Sequence, residues 1–313
     1  MRNLKQSVAG FAPPRPLFPG RSGDMEIFVS QIMTGLSIGS ILLLVALGLA
    51  IIYGVTGVIN LAHGEFVMLG AYAAWFLQTQ FGLGLLASLV PIFLLLALFG
   101  WLIEALVIRH LYDRPLDTIL ATWGIGVMAQ QAIRLTAGGE LRYVQMPESL
   151  SQSVNILGAT DSAYRLFILF LSLGLFALTW GIYRYTSFGL KLRAITQNRA
   201  VASSFGINAG RIYRSTFAYG AGMAGLAGAL VSPLKSVSPE MGTTYVVDAF
   251  MVVVLGGTQS LMGTLASSGI LGELSGYLAF YSNDTIAKAL VLLAIVVLIR
   301  FRPQGLFTAR LRA

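Results

Sequence analysis

Eight apolar segments follow one another along the chain: Ile27–Tyr53, Leu61–Gln80, Leu85–Ile108, Thr118–Thr136, Ala163–Tyr183, Ser215–Leu234, Tyr245–Tyr281 and Thr285–Ile299. Polar residues collect between them. Most are close to the ~20 residues that carry a helix across ~30 Å of hydrocarbon. The pattern predicts an all-α fold, a polytopic membrane bundle with about 8, and up to 10, transmembrane segments. Tyr245–Tyr281 is too long for one helix, and Gly256-Gly257 interrupts it, so two pieces are expected, one of them open to a re-entrant reading. Gly35 and Gly39 on the first segment, and Gly220, Ala224 and Gly228 on the sixth, space small residues four apart. That spacing lets helix backbones approach closely in lipid. No internal repeat is evident by eye, which leaves an inverted one open.

Composition supports the same solvent. Apolar residues make up 56% of the chain and charged residues 11%, whereas soluble domains carry roughly 25% charged residues. So few charges cannot cover the surface of a soluble protein of this size. The formal charge of +8 does not point to nucleic acid, because the basic residues sit in loops and at the ends rather than on one face. Cysteine is absent, which removes disulfide and thiolate–metal chemistry.

Charge orients the segments. Residues 184–214 hold Arg184, Lys191, Arg193, Arg199, Arg211 and Arg214 and no acid, so this loop is expected on the cytoplasmic side. The tail, with Arg300, Arg302, Arg310 and Arg312, follows it there. Counting through the spans, Arg109–Asp117 is cytoplasmic and Ala137–Ser162 external. Residues 1–24 have no apolar core of signal-peptide type and are expected to be a disordered extension, for which a start at Met25 would account. Residues 25–307 form the membrane domain and 308–313 a basic cytoplasmic tail.

Four acids lie in or near the spans: Glu65, Glu104, Asp248 and Glu273. A charge at the bilayer centre costs about 2.5–3.5 kcal/mol on insertion scales, so each needs water, a partner or a proton. Glu104 is expected at the interface, Asp248 at the opening of a half-helix and Glu273 deepest. His63 and Glu65 are two residues apart and do not share a helix face, and no His-Glu-x-x-His pattern occurs. Neither a metal site nor a catalytic site is expected. After Gly54, Gly57 and Asn60 a broken helix is predicted, with Asn60 capping the next half-helix or touching a solute oxygen. Uncharged polar residues on the first span (Thr34, Ser37 and Ser40) and on the fourth (Thr122, Gln130 and Gln131) could line a path or merely bond across helices.

The basic loop contains a run without Gly or Pro, Leu190–Phe205, in which Leu192, Ile195, Val201 and Phe205 fall near helical spacing. This predicts one amphipathic helix outside the membrane, stopped by Gly206. It could enter a groove on a soluble partner or rest on anionic headgroups. No Gly-x-x-x-x-Gly-Lys-Ser/Thr phosphate loop occurs in the chain, so it cannot be its own P-loop motor.

Gly189, Leu192, Arg193, Ala194, Asn198, Ala202, Gly206 and Ile207 resemble the cytoplasmic coupling segment of permeases in branched-chain amino acid type ATP-binding-cassette importers. The likeness runs from Met25 to Phe307 in order. It includes Gly48-Leu49, Tyr53-Gly54 and Val58–Phe66 early, Val246–Phe250 and Val253–Gly257 late, and Arg302–Phe307 at the end. Ala121–Gly124 with Gln130-Gln131 resemble the urea permease branch, while Thr258-Gln259-Ser260 depart from the family pattern.

The resemblance implies a permease that moves urea or a short amide inward, or alternatively a branched-chain amino acid. A stand-alone solute channel is a further reading. The implied setting is the bacterial inner membrane. The implied partners are a second permease chain, two ATP-binding subunits and an external solute-binding protein. ATP is used by the partners, and no cofactor is bound by this chain. Asn60, His63, Glu65, Thr122, Gln130, Gln131 and Asp248 are the expected path residues.

Overall fold

A computed structural model describes residues 21–156, 159–302 and 304–307. The expectations for residues 1–20 and 308–313 lie outside the described residues. Helices dominate: α1 (Arg21–Thr56), α2 (His63–Phe81), α3 (Leu85–Leu106), α4 (Pro115–Ala137), α5 (Ala163–Tyr185), α6 (Ser187–Gln197), α7 (Arg199–Ser204), α8 (Ala209–Val231), α9 (Met241–Gly256), α10 (Leu261–Tyr281) and α11 (Asp284–Phe301). The only paired strands among the described residues are β1 (Ser153–Ile156) and β2 (Ala159–Ser162), an antiparallel pair within the α4–α5 connection. That pair was not predicted.

Met25–Thr56, Leu85–His110 and Ala163–Tyr185 are each long and apolar enough to cross a bilayer by themselves. The α9–α10 pair also qualifies, bent by 117° at its break. The predicted interruption at Gly256-Gly257 is therefore present. Gly257 takes a positive φ of 92°, and Ser260 caps α10 by accepting the Gly263 N–H at 2.9 Å. Local chemistry sets other boundaries in the same way. Asn208 caps α8 by accepting the Arg211 N–H, and Asn283 caps α11 by accepting that of Ile286. Such caps satisfy amides left open in a first helical turn. Several boundaries move: α1 begins at Arg21, α4 at Pro115, α8 at Ala209 and α9 at Met241, each ahead of the predicted segment.

The small-residue stripes pack helix on helix. Gly39 faces the backbone of Ser268 and Gly269, and Gly272 lies against Gly35 and Gly39, so α1 runs antiparallel to α10. Gly222 meets Phe93, and Gly100 meets Ala221 and Phe217, so α8 runs antiparallel to α3. These two pairings are equivalent. α2 packs on α8 as α9 packs on α1, and α4 touches α2 as α11 touches α9. The end of α1 and the start of α8 share one apolar cluster through Val55, Ile212 and Tyr213, so the two helices run in opposite directions. Helices α1–α4 and α8–α11 thus form an inverted repeat, with α5–α7 between its halves.

The loops predicted to share one side do come together. Asp113 lies 3.8 Å from Arg199, and the Tyr112 and Tyr213 rings are 4.8 Å apart. At the opposite end, Arg142 and Val237 exchange backbone hydrogen bonds at 2.9 and 2.8 Å. This ties the hairpin-bearing connection to the loop that enters α9. Glu104 finds its partners at the Asp113–Arg199 end. It is fully buried, bound to Arg214 at 3.0 Å and to the Tyr112 hydroxyl at 3.1 Å.

Candidate functional site

Two helices begin inside the bundle and meet head to head. After Thr56, Gly57 turns the chain at φ 65°, and the segment to Ala62 climbs back along α1. His63 Nε2 then lies 2.9 Å from the Val45 carbonyl. That contact fixes the start of α2 beside the middle of α1, with the ring nitrogen donating to the carbonyl. From the other half of the repeat, α9 begins at Met241. Gly64 and Gly242 touch backbone to backbone there. Gly48 and Gly220 make a second reciprocal contact, between α1 and α8. Both contacts relate equivalent positions of the inverted halves.

Helix α4 clasps this junction with polar side chains. Thr122 Oγ1 accepts the Leu61 N–H at 3.2 Å. Gln130 Nε2 donates to Glu65 Oε1 at 2.8 Å and reaches Thr243 Oγ1 at 3.3 Å. One turn further on, Arg134 pairs with Glu240 at 2.7 Å. Glu65 Oε2, Asn60 Nδ2 and His63 Nδ1 are buried and have no hydrogen-bond partner among the described residues. Unsatisfied buried polar atoms are costly, and three of them at one junction make it a candidate site. Asn60 does not cap α2 as predicted. Its Oδ1 accepts the Ala62 N–H at 3.1 Å, one residue before the helix, because an Asx turn forms first. Gln131 is exposed, with no side-chain hydrogen bond among the described residues, and takes no part in the clasp.

Asp248 lies elsewhere. It sits inside α9 rather than opening it and pairs with Lys288 of α11 at 3.0 Å. The pair borders a cavity of about 580 Å³ between α1, α9, α10 and α11, which Thr34 and Ser37 also line. Ser40 is turned back on its own helix, bonded to the Ser37 carbonyl. Glu273, midway along α10, is half-buried against Gly35. Among the described residues no group of three His, Asp or Glu side chains could hold a metal ion.

The basic segment folds as two helices, not one. Asn198 leaves helical geometry and caps α7 by accepting the Val201 N–H at 3.1 Å, which breaks the predicted run after Gln197. Gly206, at φ 78°, ends α7 as predicted, with the Ile207 N–H closing on the Ala202 carbonyl. The resemblance motif turns mostly inward. Gly189 lies against the Tyr183 and Ile182 carbonyls, and Leu192 and Ala202 are buried. Ala194 and Ile207 pack on that cluster. Arg193 donates to the Tyr183 carbonyl at 2.7 Å and lies over its ring. What faces outward is Leu190, Val201 and Phe205, exposed by 62%, 51% and 83%. A cavity of about 150 Å³ joins this segment to the α9–α10 turn, lined by Leu192, Arg193 and Gln197 on one side and Thr258–Leu261 on the other.

The family described as branched-chain amino acid transport system, permease component, matches residues 31–300. The chain belongs to that family. The permease is 30% identical to the high-affinity branched-chain amino acid transport permease LivH of Escherichia coli, over 87% of this chain and 94% of that protein. It is 28% identical to BraD of Pseudomonas aeruginosa, over 89% and 95%. It is also 28% identical to the ribose import permease RbsC of Haemophilus influenzae, over 86% and 84%. No solved structure matches it. These relatives are transport permeases, and their names speak of branched-chain amino acids and ribose. The lean towards a urea branch finds no support in them.

Four residues that contact or flank the candidate residues escaped the sequence reading: Thr243, Arg134, Glu240 and Lys288. Lys288 had a usable signal, a lone charge within an apolar segment that needs a partner in lipid. The others are ordinary loop or helix-end residues until α4 folds over the two breaks.

Proposed function

We propose that this chain is a membrane-spanning subunit of an ATP-binding-cassette importer for branched-chain amino acids, set in the cytoplasmic membrane of a bacterium. The family match and its amino-acid-transporting relatives support that substrate over urea. The observation that carries the reading is the link between surface and centre. Leu190 on α6, Val201 on α7 and Phe205 just after it are apolar and exposed, and we take them as the docking platform. The inner face of α6 borders the α9–α10 turn, and α9 starts at the junction with α2. A soluble ATPase that takes the platform into a groove would push on α6. That push would reach the α2–α9 junction through the turn. A second permease chain, two ATPase subunits and an external binding protein complete this reading.

Uptake of labelled leucine, with unlabelled leucine or urea as competitor, tests the substrate in cells with and without the gene. Competition by leucine and none by urea is expected. Effective competition by urea would restore the amide reading. Passage of solute in liposomes that hold only this chain would favour a channel instead.

A further inference from the structure

The cavity beside Asp248 combines two kinds of surface. Its depth is aliphatic and sulfur-bearing: Leu42, Met251, Leu271 and Val291 line it and are buried. Its mouth is charged with both signs, through Arg165, Lys235, Asp248, Asp284 and Lys288. Arg165 is engaged by Asp161 at 3.5 Å, while Lys235 and Asp284 have no ion pair among the described residues. Asp248 and Lys288 meet where mouth and depth join. The Asp248 side chain is 9% exposed and that of Lys288 48%. Lys235, Ser236 and Ser238 place the mouth on the loop held by Arg142, at the end of the bundle opposite α6 and α7.

We propose that this cavity binds a zwitterionic α-amino acid with an aliphatic side chain, and that the Asp248–Lys288 pair reads the zwitterion by exchange. The proposal rests on the amino-acid import reading above. The incoming ammonium takes the Asp248 carboxylate and the incoming carboxylate takes the Lys288 ammonium, while the side chain enters the Leu42–Met251–Val291 depth. Each protein charge keeps an opposite charge beside it throughout, so Asp248, the nearly buried partner, is not stranded in a low-dielectric site, the outcome that makes broken buried pairs costly. A ligand carrying one charge pairs with one partner and leaves the other without its counter-charge. An uncharged amide leaves the pair closed and gains only hydrogen bonds to it. The volume, about 580 Å³, lies within the range of small-ligand sites.

The test is ATP-dependent uptake of labelled L-leucine in vesicles that hold the full chain with its importer partners. Competitors are L-leucine, isoamylamine (ammonium only) and isocaproate (carboxylate only). Wild-type protein is expected to prefer leucine over each single-charge analogue by tenfold or more. D248N should erase the preference over isocaproate, because nothing then reads the ammonium. K288Q should erase the preference over isoamylamine, and K288R should restore it. A merely structural pair would lower the rate and leave the competitor ranking intact. If D248N fails to reach the membrane, K288Q and K288R, at the more exposed partner, carry the test alone. Leucine uptake with wild-type ranking in these variants overturns this proposal only. No leucine uptake by the wild-type protein overturns the amino-acid reading and this proposal with it.

Discussion

Gly64 and Gly242 lie back to back where α2 and α9 begin, so close that a Cβ on Gly64 would enter the Gly242 carbonyl. The two residues are equivalent in the inverted halves, and their contact brings two helix N-termini together inside the bundle. Such termini carry partial positive charge and open N–H groups. The neighbouring carboxylate of Glu65 is oriented by that environment and by Gln130.

Gly64→Ala is expected to be the more damaging change at this contact. Its clash is with backbone, which cannot rotate away. Gly242→Ala meets the Glu65 carboxylate at 2.6 Å as well as the Gly64 carbonyl at 2.8 Å, and the side-chain part of that clash can be relieved. Overpacking costs about 1–3 kcal/mol. Thermal melting of the detergent-solubilised protein should rank wild type above Gly242→Ala, and Gly242→Ala above Gly64→Ala. The reverse order would mean the junction relaxes by moving α2.

Glu65→Gln should fold at least as well as wild type. One carboxylate oxygen is buried without a partner among the described residues, and a neutral amide is cheaper to bury than a charge. Gln130→Ala should be worse, because it removes the only hydrogen bond to the Glu65 carboxylate among the described residues. Losing a bond to a charged group costs about 1.5–3 kcal/mol. Melting temperatures of the two variants decide this. Equal destabilisation would mean the carboxylate itself is required for folding.

Glu104 and Arg214 form the most buried ion pair among the described residues. Arg214 also lies over the Trp101 ring, 5.1 Å from its centroid. Removing one partner strands the other, at about 3–5 kcal/mol. Glu104→Leu and Arg214→Met should each sharply lower membrane yield. The double variant should recover part of it, and a strictly additive loss would argue against coupling.

The coupling segment allows a separation of roles. Phe205→Ser should weaken co-purification of the ATPase, because Phe205 is 83% exposed on the outer platform. Arg193→Ala should leave docking intact and reduce uptake per ATP hydrolysed, because it releases α6 from Tyr183. Gly206→Ala should cost about 1 kcal/mol of stability, since only glycine adopts its positive φ without strain. Equal loss of ATPase binding in Phe205→Ser and Arg193→Ala would show that Arg193 is itself part of the docking surface.

Much of this permease is determined by its sequence. Segment length and apolarity decide that it is helical and lies in lipid, because unpaired backbone polar groups are not tolerated there. Counting spans from the acid-free basic loop puts residues 109–117 at the same end, and the Asp113–Arg199 contact agrees. Glycines spaced for close packing meet other helices, and the Gly256-Gly257 break is where it was expected. These are local properties, readable from neighbours in the chain. The tertiary structure alone decided which residues share a site. Gly64 finds Gly242, Gln130 finds Glu65, and Asp248 finds Lys288, all across helices distant in sequence. No periodicity within one helix specifies its partner, since partner choice depends on the summed packing of the whole inverted repeat. Only that packing turned the motif residues Gly189, Leu192 and Arg193 inward and left Leu190, Val201 and Phe205 to face outward.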